Sequence, residues 1–188
     1  MESLNRNTDF QTQLTQINFK TFYHNQLETF GYDDLFANRR VVIFSISRTA
    51  PIESYFHLKE FNLEYDNIIQ AGADNVYAIN SFDVLFGPWV DRHADNIIGL
   101  PDTNHNFITE LAKSHHPDSN ITKLSKYWQY ILILNNGVLE IIWKNVYRDT
   151  LSRRILNDPG YQYRKLKPSL VLEYLKYGES KKFLDTTV

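Results

Sequence analysis

Several stretches of this chain are apolar without a break, and between them apolar residues recur at three- and four-residue steps. Val41-Val42-Ile43-Phe44 is a continuous β-branched and aromatic run, the signature of a strand buried on both faces, with Arg39 and Arg40 marking its wet entrance. Asn75-Val76-Tyr77-Ala78-Ile79-Asn80 reads as a second buried strand, and Asn96-Ile97-Ile98-Gly99-Leu100, closed by Pro101, as a third. Between the first two, Pro51 suits the opening turn of a helix, where its missing donor costs nothing. Beyond it Tyr55, Leu58, Phe61, Tyr65, Ile68 and Ile69 keep helical spacing, which predicts one amphipathic helix of about five turns over 51–69, stopped by Gly72. Strand–helix–strand in this order is a βαβ unit.

The remaining elements follow the same logic. Asp33-Asp34 ahead of Leu35-Phe36 reads as a single helical turn before the first strand. Asp83 to Trp89 has helical spacing interrupted by Gly87-Pro88, which predicts a short helix with a bend or restart at Pro88. Asn106 to Lys113 form a helix with Phe107, Ile108 and Leu111 inward, followed by a loop over Ser114–Asn120. Tyr130–Leu134 and Val138–Trp143 flank Asn135-Asn136-Gly137, the strongest short-range hairpin signal a sequence offers. Pro168 to Tyr177 form the last helix, which Gly178 stops. Residues 1–20 read as a loosely attached arm or a short edge element, 21–178 as one domain, and 179–188 as a tail.

Composition narrows the chemistry. The 188 residues contain no cysteine, which removes disulfides, thiolate nucleophiles, Cys-ligated zinc and iron–sulfur clusters. The formal charge is -2, so no global field favours nucleic acid or anionic lipid. No apolar run is long enough for a membrane span, and the start lacks a signal-peptide pattern, so a cytoplasmic protein is expected.

Candidate sites are sparse. No glycine-rich phosphate or dinucleotide loop follows the first strand, and no Gly-x-Ser-x-Gly elbow surrounds Ser45, Ser47 or Ser54. The six histidines, His24, His57, His93, His105, His115 and His116, show no metal-ligand spacing, so neither a metal nor another cofactor is expected. The segment 144–167 concentrates positive charge and interleaves tyrosines, so Arg148, Arg153, Arg154, Arg164 and Lys165 are the residues that would meet a nucleic acid. Its irregular spacing and the neutral remainder of the chain favour a solvated loop instead.

The stretch from Leu35 to Leu175 resembles the peroxiredoxins, in particular the short atypical subgroup that reduces peroxides with thioredoxin or glutathione. The residues that carry the resemblance are Asp34-Leu35-Phe36, Val41–Phe44, Pro51–Leu58 with Phe61, Asp83 and Leu85 before Trp89, Pro101-Asp102 with Phe107, the Asn135-Asn136-Gly137 hairpin, and Pro168–Leu175. The resemblance implies an α/β, thioredoxin-like mixed sheet, with parallel strands followed by an antiparallel hairpin and flanked by helices. In that subgroup a Thr-Pro-Thr-Cys element supplies the peroxide-attacking cysteine. It falls here on Ala50-Pro51-Ile52-Glu53. Pro51 is kept, the peroxide-holding hydroxyl is lost at Ile52, and Glu53 stands in the place of the nucleophile. The family's arginine falls at or near Gln129, with Lys126 as a stand-in, and the family's pocket histidine falls on His57.

A carboxylate cannot accept and release an oxygen atom as a thiol does, so the resemblance implies a relative without thiol peroxidase activity and with a binding or regulatory role. Two readings of Glu53 stay open: stabilisation of a helix start in a vestigial pocket, or a base or cation ligand in a remodelled one. In the second, an enzyme of non-thiol chemistry would use Glu53, His57 and Lys126. The resemblance also implies a homodimer through Tyr55, Phe82, Phe86 and Trp89, and a protein partner is a further option.

Overall fold

The computed structural model describes residues 14–46, 51–80, 85–103, 106–115, 128–146 and 166–178. Its core is a five-stranded sheet in the order β5-β4-β3-β6-β7, built from β3 (Arg40–Ser45), β4 (Asn75–Asn80), β5 (Ile98–Pro101), β6 (Trp128–Asn135) and β7 (Val138–Val146). Strands β3, β4 and β5 run parallel; β6 is antiparallel to β3, and β7 to β6. The expected thioredoxin-like arrangement is therefore present.

The unbroken apolar run of β3 is explained by helices on both sheet faces. Val42 and Phe44 point into one core, with Leu58, Phe61, Ile68, Ile133 and Val171. Val41 and Ile43 point into the other, with Leu35, Phe36, Tyr77, Phe107 and Leu132. With side chains alternating across a strand, both sets must be apolar. The first face is covered by α2 (Pro51–Leu63), α3 (Tyr65–Gln70) and α6 (Pro168–Tyr177), the second by α1 (Tyr32–Phe36) and α5 (Asn106–His115), which runs past the expected end at Lys113.

Three expectations change. The single helix over 51–69 is two helices, because the backbone at Glu64 departs to φ -94, ψ 3. Glu64 still donates to the Glu60 carbonyl at 3.2 Å and accepts from Ile68 at 3.0 Å, so the result is a kink rather than a gap. The helix expected over 83–89 is α4 (Phe86–His93), in which Pro88 lies within the first turn and causes no restart, as its lack of an N–H allows. Residues 18–20, assigned to the arm or edge element, open a strand: β1 (Asn18–Tyr23) pairs antiparallel with β2 (Gln26–Gly31), and Phe19 is fully buried.

The β1–β2 ribbon and α4 cover the short edge strand β5. The Thr21 hydroxyl donates to the Gly99 carbonyl, so a side chain takes up an edge acceptor. Glycine is needed for this approach: a Cβ on Gly99 would lie 2.7 Å from the Val90 side chain, and one on Gly87 2.7 Å from the Phe22 amide nitrogen. At the far side, the β6–β7 turn has Asn136 and Gly137 at φ 52 and 73, the paired positive values that an Asn-Gly hairpin turn requires. Arg40 on β3 ion-pairs with Glu140 on β7 and lies 5.9 Å from the centre of the Tyr174 ring on α6.

Candidate functional site at the start of the second helix

The site forms where β3 gives way to α2. Ile46, just past the strand, donates its amide to the Ile79 carbonyl at 2.9 Å, and its own carbonyl accepts from the Asn80 side chain at 2.6 Å. These bonds hold the strand end against β4. Helix α2 then begins at Pro51, with Glu53 in its first turn. The side chains of Pro51, Ile52 and Glu53 lie outside what the structure describes, but their helix is fixed by its neighbours. Ser54, His57, Leu58 and Phe61 form its buried face, and position 53 flanks that face, one turn before His57.

His57 is fully buried. Its ring stands edge-on to Phe44 at 5.3 Å and to Phe61 at 5.2 Å, so it fills the seam between helix and strand and offers no face to solvent. Gln129 is placed by register: Ile131 pairs with Phe44, which puts residue 129 beside the end of β3, at the mouth. Its side chain lies outside the description, as does all of Lys126.

A second polar group at the same end of the parallel strands was not singled out as a candidate from the sequence. The Ser45 hydroxyl oxygen accepts the Tyr130 amide at 2.8 Å. The Asp102 amide donates to the Asn80 carbonyl at 2.7 Å, and the Asp102 carboxylate accepts from the Phe107 and Ile108 amides of α5 at 2.8 and 3.2 Å. Burial pushes this carboxyl up to about 6, against the pull of those amides. The fully buried Tyr130 phenol is pushed up as well, by burial first and then by the Asp102 charge. Asp102 therefore caps α5 and keeps its proton to a higher pH than an ordinary carboxyl, losing it near pH 6. The signal available in sequence was an Asp following the third strand and four residues ahead of a helix.

Among the described residues no three His, Cys, Asp or Glu side chains gather as a metal set, and no helix is long and apolar enough to cross a membrane.

No family model matches the chain. Over 111 residues it is 29% identical to a Rhizobium etli peroxiredoxin, and over 167 residues 24% identical to the hybrid peroxiredoxin hyPrx5 of Haemophilus influenzae. These alignments cover 57% and 87% of this chain, and 62% and 64% of the two relatives' lengths. The fold matches reduced Prx3 of Vibrio vulnificus, solved in complex with hydrogen peroxide, with a TM-score of 0.63 at 17% identity over 88% of this chain and 94% of that one. This is a peroxiredoxin-like chain.

It is also a peroxiredoxin-like chain without a cysteine anywhere in its 188 residues, so it has no nucleophile for thiol-dependent peroxide reduction. Of the residues expected at a peroxiredoxin-like pocket, Pro51, Ile52 and Glu53 form the first turn of α2, the helix that follows β3 in the chain, and Gln129 lies on β6 two residues before the partner of Phe44. Of the expected interface residues, Tyr55 is exposed and Trp89 half-buried, whereas Phe86 is buried in the chain's own core. Phe82 lies outside the described residues, as do Arg148, Arg153, Arg154, Arg164 and Lys165.

Proposed function

We propose that this chain is a binding or regulatory protein that keeps the peroxiredoxin scaffold, uses no thiol chemistry, and works as a homodimer in a cytoplasmic setting. The observation that carries the reading is the residue at the helix start. A peroxiredoxin-like α2 opens directly after β3, and its first turn holds Glu53 in a chain with no cysteine. A carboxylate there keeps an anion beside the unpaired amides of the first turn, which preserves the helix start while removing the reaction.

The surface next to that helix start supports association. Tyr55, Phe56 and Leu85 are 36%, 56% and 70% exposed, which is more apolar area than a solvated face needs. Tyr55 stands perpendicular to His93 at 5.4 Å, and His93 lies 5.4 Å from Trp89, so α2 and α4 present one continuous aromatic surface. Sedimentation of the purified chain, run beside a peroxide-consumption assay with dithiol, tests both halves. The expected result is a species of twice 22.2 kDa with no peroxide turnover above background. A monomer at high concentration overturns the dimer, and turnover by metal-free protein overturns the loss of activity.

A further inference from the structure

Asn136 is the one asparagine of the chain that precedes a glycine. In such a pair the glycine's backbone nitrogen can attack the asparagine side-chain amide, since no Cβ on the glycine hinders the approach. A bond forms between that nitrogen and Cγ, the Cγ–Nδ2 bond breaks, and ammonia leaves with the proton that the attacking nitrogen gives up. The product is a five-membered succinimide. Water then opens one of its two carbonyls. Opening at the side-chain carbonyl leaves aspartate; opening at the backbone carbonyl leaves isoaspartate, with an extra methylene in the main chain. No oxidant, cofactor or enzyme is needed.

The β6–β7 turn exposes this pair and at the same time restrains it. Asn136 is exposed, and the Gly137 amide donates to no described residue, so the nucleophile is not tied up. Two anchors hold the turn on the body of the fold. The Asn136 amide donates to the Arg39 carbonyl at 2.9 Å, and the Tyr32 hydroxyl donates to the Gly137 carbonyl at 2.5 Å. Tyr32 is buried, and burial first, then the Asp33 charge, pushes its phenol up to about 12, so it remains a donor. A Cβ on Gly137 would lie 3.2 Å from the Tyr32 ring, so the turn is pressed closely against it. The anchors grip the peptide units on either side of the one that must move. With Asn136 left-handed at φ 52, the Gly137 nitrogen is turned away from the Asn136 side chain, and ring closure requires that unit to rotate. The reaction therefore waits on local opening of the turn, as amide exchange does.

We propose that Asn136 is a spontaneous deamidation site latched by Tyr32 and Arg39: the modification proceeds from the open turn, and isoaspartate, once formed, prevents the turn from closing again. The extra methylene breaks the two-residue spacing between Asn135 and its strand partner Val138, and it takes the acceptor away from the Tyr32 hydroxyl. The test is incubation of the full chain at mildly alkaline pH, both folded and in urea, with Y32F beside it. Peptide mass mapping locates the loss of ammonia, and a methyltransferase specific for isoaspartyl carboxyls scores the rearranged product. In urea, Asn136 is expected to react faster than any other asparagine of the chain. In the folded chain it is expected to react at least about tenfold more slowly than in urea, as a closed turn implies. Folded Y32F is expected to react about fivefold faster than the folded parent, the change that loss of one ordinary hydrogen bond gives. Thermal unfolding confirms that Y32F remains folded, and the comparison with urea stands without the variant. A folded parent that reacts as fast as the unfolded chain, modification in urea concentrated at another asparagine, or a folded Y32F no faster than the parent overturns the proposal.

Discussion

Phe44 on β3 and Phe61 on α2 stack face to face, their ring centres 4.0 Å apart and their planes 5° from parallel. With His57 edge-on to both rings, this seam sets the rotation of α2 on the sheet, and so fixes where the first turn of the helix falls. Truncating Phe61 to Ala removes a fully buried ring from that seam. The expected cost is about 3–5 kcal/mol, read from chemical denaturation at constant m-value. A loss below about 1 kcal/mol would mean that the helix is held elsewhere.

Asp102 makes stability depend on pH in a direction opposite to the usual carboxylate. Its folded pKa of about 6 lies above the ordinary value of 3.8, so the folded state binds more protons between those values. Its contribution is therefore most favourable below about pH 4, declines as pH rises to about 6, and is flat beyond. The difference in unfolding free energy between the parent chain and D102N, followed across that window, is expected to fall by roughly 2–3 kcal/mol as pH rises. A difference that stays constant from pH 4 to 7 would show that Asp102 titrates like a solvated carboxyl.

Gly99→Ala tests the docking of α4 and the β1–β2 ribbon on the sheet edge. The new methyl would press on Val90, which is itself fully buried and has no room to retreat. Overpacking of this kind costs about 1–3 kcal/mol. Thermal unfolding of the variant at an unchanged midpoint would show that the edge is loosely packed.

The parts of this fold that were legible in the sequence are those whose burial leaves a local pattern. Val41–Phe44 and Val76–Ile79 are apolar on both sheet faces, and Asn136-Gly137 supplies the two positive φ values of its turn from the two residue types that tolerate them best. The β1–β2 ribbon was hidden for the converse reason. Its turn residues, His24 and Asn25, take φ 49 and 61 without a glycine, and β2 is mostly solvent-facing, so polar residues occupy it. The kink at Glu64 left no trace, because Phe61, Tyr65 and Ile68 keep helical spacing across it. At the site, the sequence located the helix start at Pro51. It did not separate His57 as a packed ring from His57 as a pocket residue, since one helical spacing serves both.

Glu53→Ala probes what the carboxylate does at the helix start. An anion in the first turn contributes about 0.3–1 kcal/mol, and the contribution shrinks with added salt. The variant is expected to lose that much at low ionic strength and less at high. No loss at low salt would argue that position 53 does not sit at a helix start in solution.

The most direct test of the account is to return the sulfur. Peroxide-driven oxidation of an E53C variant at neutral pH, followed by intact mass, is compared with an F56C control on the exposed side of the same helix. A thiol at a helix start ionises more readily than a free one. The account predicts that E53C is oxidised severalfold faster than the control; equal or slower oxidation of E53C would contradict the claim that Glu53 occupies the place of the peroxiredoxin nucleophile.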